Sequence, residues 1–171
     1  MRALHLRVPV EAEEVIGDIT DYDIPTFYRP MKRGDKPVLF YKLKIKNIGK
    51  NYGWLYTKVY ESNEKGEDVK LLWEEDWFLG PQAEMEIGRV EAEHGISKDY
   101  PAGSYFYMCI KCWGESEPEP TCKYAVGSRS IHLRIPVMGD KIKRIDLRPF
   151  VGLGGLIISL GLIWRERYGR S

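Results

Sequence analysis

Val38-Leu39-Phe40-Tyr41-Lys42-Leu43-Lys44-Ile45-Lys46-Asn47-Ile48 alternates along most of its length. Leu39, Tyr41, Leu43 and Ile45 fall on one face of an extended chain, and Lys42, Lys44 and Lys46 on the other. A period of two marks a half-buried strand with its lysines turned to water. The residues that follow, Asn47 to Gly53, tolerate positive φ and read as a turn.

The same rhythm extends in both directions. Trp54–Glu61 sets Leu55, Thr57 and Val59 against Trp54, Tyr56 and Tyr60. After the turn Asn63–Glu67, Val69–Trp73 reads as a short strand, and Leu79-Gly80-Pro81 is a break. Ala83–Val90 alternates again, with Ala83, Met85 and Ile87 against Glu84 and Glu86. Pro101-Ala102-Gly103 introduces Ser104–Trp113, whose near-continuous apolar run predicts burial on both faces. A loop with Pro118 and Pro120 leads to Cys122–Val126, and the turn Gly127-Ser128 precedes the strand Ser130–Val137. Ala3–Val10 and Glu14–Asp21 are two further candidate strands. No segment before residue 149 carries a helical stripe. Short strands at intervals of about ten residues, separated by Gly, Pro and Asn turns, predict an all-β sandwich or barrel.

His5-Leu6-Arg7-Val8-Pro9-Val10 recurs nearly intact as His132-Leu133-Arg134-Ile135-Pro136-Val137. The similarity does not continue beyond these residues. It reads as two strands in similar environments, at sheet edges where proline is tolerated.

Composition sets the class. The chain has 171 residues, 43% apolar and 30% charged, with a net charge of +1. That supports one domain of ordinary size and a short appendage. Disorder needs few aromatics and a large net charge, and near-neutrality leaves no global field for nucleic acid. Frequent Lys and Glu with scarce Gln fit a thermophile. Met1–Val10 has two arginines and a histidine but no apolar core of signal-peptide length, which points to a cytoplasmic start.

Lys32-Arg33-Gly34-Asp35-Lys36-Pro37-Val38, the alternating strand, and Lys46-Asn47-Ile48-Gly49 together resemble the second-strand region of immunoglobulin-like and fibronectin-III-like domains of bacteria and archaea. Many of these read GE-x-V-x-V-x-V-x-N-x-G. Pro101-Ala102-Gly103-Ser104-Tyr105-Phe106-Tyr107 resembles the PGTYTY entry to their penultimate strand. The nearest likeness is to the cell-adhesion-related domains of archaeal surface proteins, over roughly residues 14–137. The resemblance implies an immunoglobulin-like antiparallel β-sandwich and an extracellular setting. Its motifs are structural, so it bears on fold more than on chemistry. The antibody pattern of two cysteines spanning the sheets, with a tryptophan between, is missing.

Pro149–Trp164 is a window of sixteen residues without a charge. As a helix it would cover about 24 Å, short of the roughly 30 Å of a bilayer's hydrocarbon. Basic residues flank it on both sides, and Trp164 and Tyr168 suit an interface. Five of the fifteen residues from Phe150 to Trp164 are glycine or serine, which disfavours a stable helix in water. Gly155 and Ser159 have the small-xxx-small spacing of close helix contacts in lipid. The expected organisation is thus a sandwich with an N-terminal strand extension over residues 1–137 and a basic linker over 138–148. A single transmembrane helix over 149–164 and a basic tail over 165–171 complete it. Because both flanks are basic, the side of the membrane stays open, as does burial of the tail within an assembly.

Cys109, Cys112 and Cys122 form the one cluster with ligand-like spacing. A structural zinc needs four soft ligands, so His94 or His132 would have to join them. A CxxC in a strand sends its two sulfurs to opposite faces, because three is an odd offset. Cys112 and Cys122 flank the loop Trp113–Thr121, which makes a disulfide between them geometrically easy and leaves Cys109 as a buried apolar residue. Plain core cysteines, that disulfide, and a metal site stand as three open readings.

Other chemistry is sparse. His5 and His132 read as solvated strand histidines, and no serine sits in a nucleophile elbow. The acidic run Asp68–Asp76 lacks the ligand spacing of a calcium loop and reads as a solvated turn. Arg33-Gly34-Asp35 reads as turn chemistry before the second strand. Among Tyr52, Trp54, Tyr56, Trp73, Trp77 and Trp113, most should be core and cross-strand pairs, and an exposed subset would make a carbohydrate or protein contact surface. The expectation is a non-enzymatic, membrane-anchored structural or interaction subunit without a cofactor. Its partners are lipid and other protein subunits of a larger assembly, with no nucleic acid. A virion or surface-layer component, or a cysteine-based metal or redox domain, are the alternatives.

Overall fold

The computed structural model describes residues 14–124 and 128–139. The expected strand Ala3–Val10 with His5, and the linker, anchor and tail from residue 140 on, lie outside them. So do Pro149, Phe150, Gly155, Ser159 and Trp164. No helix among the described residues is long and apolar enough to cross a membrane.

The described chain is all-β, and its named strand pairs are all antiparallel. The strands are β1 (Gly17–Asp23), β2 (Val38–Phe40), β3 (Lys42–Asn47), β4 (Gly53–Ser62), β5 (Asp68–Leu79), β6 (Glu84–Ile87), β7 (Val90–Glu91), β8 (Tyr105–Gly114) and β9 (Ser130–Pro136). A single 3₁₀ turn spans Cys122–Tyr124. One sheet has the order β5-β4-β8-β9, a second β1-β3-β6, and β2 pairs with β7.

Alternation decides what each strand buries. Ile19 of β1, Leu43 and Ile45 of β3 and Ile87 of β6 meet Leu55 and Val59 of β4, Phe106, Met108 and Ile110 of β8, and Leu133 and Ile135 of β9 in one apolar core. Lys42, Lys44 and Lys46 face away from it, as their spacing requires. Lys44 sits between Glu84 and Glu86 of β6, at 3.5 and 3.3 Å.

The expected continuous strand Val38–Ile48 is interrupted at Tyr41, and Ala83–Val90 is interrupted at Gly88-Arg89. The two breaks lie at the same level. Phe40 faces Val90 and, three residues along each chain, Leu43 faces Ile87, so the register is kept across the gap. At the gap the Tyr41 N–H donates to the Asp23 carbonyl, at 2.8 Å.

β5 is longer than expected, and it corrects the reading of Asp68–Asp76 as a turn. Glu74, Glu75 and Asp76 lie within the strand. All three side chains are exposed, and because β5 is the edge of its sheet their charge also discourages further strand pairing. The turn at Arg33-Gly34-Asp35 is as expected. The Asp35 N–H donates to the Lys32 carbonyl at 2.9 Å, and the Lys32 N–H to Asp35 Oδ2 at 2.8 Å. Gly34 supplies the positive φ of +92° that the turn requires. β9, which carries the second copy of the HLRIPV echo, is a sheet edge, with Pro136 at its end.

β8 is buried on both faces along Met108–Gly114. Phe106, Met108, Ile110 and Cys112 point into the core. The opposite face, with Cys109, Lys111 and Trp113, is covered where the chain after β8 returns toward β9.

Candidate aromatic contact surface

On β4 the inward set Leu55, Thr57, Val59 leaves Trp54, Tyr56, Lys58 and Tyr60 on the outer face. Register brings Phe78 of β5 opposite Trp54, Asp76 opposite Tyr56, and Glu74 opposite Lys58. Trp54 and Phe78 meet edge to face, with centroids 5.4 Å apart. Tyr52, in the turn before β4, stacks on Phe78 at 6.4 Å. Its ring lies against Gly80, where a Cβ would stand 2.7 Å from Cε1. Glycine there lets the phenol lie flat. These three rings are wet: Tyr52 is 71% exposed, Phe78 57% and Trp54 45%.

One step along the strands the surface closes. Tyr56 and Trp113 are 5.6 Å apart, and Trp113 is buried. Lys58 stands over the Trp113 ring at 5.9 Å and pairs with Glu74 at 3.0 Å. That pairing, with the field of nearby Glu119 and Asp76, holds the Lys58 ammonium above its ordinary range. Asp76 and Glu115 are exposed beside the rings, and the Glu115 N–H donates to the Trp54 carbonyl at 3.0 Å.

The structure thus sorts the aromatics. Trp73 is core, edge to face with Phe40 at 5.5 Å, and Trp77 packs against the core. Tyr52 and Trp54 are the exposed subset. Phe78 was missed in the sequence because it follows the acidic run. The signal for it is its register opposite Trp54.

Further along the same face, Lys111 is buried. Its Nζ lies 2.5 Å from Asp68 Oδ2, 3.0 Å from Glu119 Oε1, and 4.6 Å from the Tyr60 ring. Burial first, and then the charges of Glu119 and Asp68, push the Tyr60 phenol well above its usual range. This cluster is a latch: two carboxylates and a ring saturate the ammonium and hold the returning chain on the sheet.

The cysteines correct the expected Cys112–Cys122 bridge. Cys109 is bonded to Cys122, with Cα atoms 6.0 Å apart, and Cys112 is free and buried. The parity argument holds, since Cys109 and Cys112 do lie on opposite faces. The returning chain crosses the face that carries Cys109, so Cys122 meets that residue. Burial, the largest cause, pushes the Cys112 thiol up to about 12, which leaves it protonated and unreactive. The three sulfurs do not converge. His94 is exposed, and His132 Nε2 lies 3.1 Å from the Asn63 carbonyl with its ring stacked on Tyr107. Among the described residues no group of three or more His, Cys, Asp or Glu side chains is placed to hold a metal.

A further residue escaped the sequence reading. Glu61 falls on the inward face of β4 and is fully buried. Its carboxylate accepts the Ser97 N–H at 2.6 Å, the Ser97 hydroxyl at 2.7 Å and the Tyr100 hydroxyl at 2.6 Å. The Tyr100 phenol is pushed up, chiefly by burial and then by its bond to Glu61. A carboxylate in phase with Leu55 and Val59 was the available signal.

No protein family, curated protein or solved structure matches this chain. Among the described residues, the buried charged groups Glu61 and Lys111 are engaged within the fold. The rings of Tyr52, Trp54 and Phe78 are exposed side by side.

Proposed function

We propose that the chain is a non-enzymatic interaction subunit. An immunoglobulin-like β-sandwich, held to a membrane by Pro149–Trp164, docks a partner protein through Tyr52, Trp54 and Phe78. The reading rests above all on one observation: three large rings stand exposed side by side on the outer face of β4 and β5. Isolated exposed apolar residues are ordinary, but contiguous ones mark contact sites. Tryptophan and tyrosine are also the residue types that dominate the energetics of protein interfaces. The polar rim of Asp76 and Glu115 matches the usual anatomy of such a surface.

A binding role over a catalytic one is supported by how the buried charges are used. Lys111 and Glu61 each have a full set of fixed partners and no free direction toward a substrate.

The test is the double variant Trp54→Ser/Phe78→Ser in the full chain, purified from its native membranes by a tag. Loss of one specific co-purifying protein, with the melting temperature of the domain held, supports the reading. Unchanged co-purification refutes it. A chain that needs no detergent and stays monomeric removes the anchor from the proposal.

A further inference from the structure

A cleft of about 460 Å³ is lined by residues of which none belongs to the aromatic surface. Its volume falls within the range of small-ligand sites. Phe27 and Met31, both buried, contribute to its lining. Tyr28, 70% exposed, and Tyr41, 49% exposed, also line it.

The charges lining it are unequal. Three cations, Arg29, Lys36 and Arg89, face two carboxylates, Asp35 and Glu91. Glu91 is charge-paired with Arg89, while Asp35 is held by a backbone N–H and keeps its charge, so Arg29 and Lys36 outnumber it by one. Asp35 Oδ2 accepts the Lys32 N–H, and Glu91 Oε1 lies 2.5 Å from Arg89 Nη2. Arg29 and Lys36 enter no ion pair among the described residues. Two cations unpaired among the described residues, beside two exposed tyrosines, have complementary needs: an anionic group for the first and a flat, weakly polar face for the second.

We propose that this cleft binds an acidic sugar. Its carboxylate is held by Arg29 and Lys36, and a ring face lies on Tyr28 or Tyr41. The guanidinium is suited to a planar carboxylate, which it grips by two parallel bonds, while the lysine adds a point charge. A sugar ring offers an axial C–H face to an aromatic plane while its hydroxyls stay in water, which suits an open cleft. The proposal is independent of the aromatic surface on β4 and β5.

The experiment is calorimetric titration of the full chain with three probes: digalacturonate, the neutral disaccharide digalactose, and the blocked dipeptide acetyl-Asp-Glu-amide. Digalacturonate is expected to bind at least roughly ten-fold tighter than either of the others, and to weaken as salt is raised. Arg29→Gln/Lys36→Gln should lose roughly ten-fold or more, in line with the loss of charged hydrogen bonds. Both side chains are exposed, so the fold should be kept, as a thermal melt will verify. Tyr28→Ala/Tyr41→Ala should weaken both sugars together. Trp54→Ser should leave the affinity unchanged. Equal binding of acidic and neutral sugars, full affinity in the Arg29/Lys36 variant, or tighter binding of the peptide would each overturn the assignment.

Discussion

Cys109 on β8 is bonded to Cys122 in the 3₁₀ turn that follows, on the sheet face opposite Cys112. The bridge closes a short loop, 13 residues apart in sequence. Chain-entropy arguments give such a loop about 3 kcal/mol. Cys109→Ala/Cys122→Ala is therefore expected to lower the unfolding free energy by about that amount, read from denaturant titrations. Cys112→Ala should cost less, since it removes one small apolar group. A thiol assay should find no reactive thiol in the folded chain and one in denaturant.

Asn47 ties three segments together with one buried amide. Its Oδ1 accepts the Gly49 N–H at 2.9 Å, and its Nδ2 donates to the carbonyls of Asn51 at 2.7 Å and Leu79 at 3.1 Å. Asn47→Ala would leave several backbone groups without partners, each at a cost of about 1–3 kcal/mol when buried. The expected loss is about 3 kcal/mol, seen as a lower denaturant midpoint at unchanged slope. Asn47→Asp should be nearly as damaging, because it cannot donate to the two carbonyls.

Alkaline pH should unfold this protein early. Tyr60, Tyr100 and Cys112 all have proton affinities raised by burial above the ordinary values of 10.0 for the phenols and 9.0 for the thiol. The folded state therefore holds protons that the unfolded state releases. Their contribution is complete below those ordinary values and is lost as pH climbs toward the raised ones. For Cys112 the window runs from 9.0 to about 12. Melting temperature should thus hold to about pH 9 and then fall steeply. Tyr100→Phe should flatten the fall, and the part of the phenolate absorbance that belongs to Tyr60 and Tyr100 should rise only together with unfolding.

Most of the strand layout was legible because one face of each strand is buried, which forces a period of two. Ser104–Trp113 announced burial on both faces by its lack of polar alternation, and β8 has it from Met108 onward, while Tyr105 at its start is exposed. What escaped was set by distant partners. The interruption at Tyr41 is matched by one at Gly88-Arg89, far along the chain. The acidic segment of β5 looked like a turn because Glu74, Glu75 and Asp76 are exposed in succession, which leaves no alternation to read. The disulfide partner depended on which face of β8 the returning chain crosses, and spacing alone is silent on that. Tyr52 and Trp54 were visible as aromatics, but Phe78 joined them only through register.

The most direct measurement of the docking role is photo-crosslinking from position 54. A photoreactive phenylalanine analogue would replace Trp54 in the full chain in its native cells, with position 46 on β3 as the control. The expected result is a single dominant protein adduct from position 54, identified by mass spectrometry, and none from position 46. It should disappear when Phe78→Ser is added while the domain still melts cooperatively. Equal adducts from both positions, or an adduct indifferent to Phe78, would contradict the assignment of this surface.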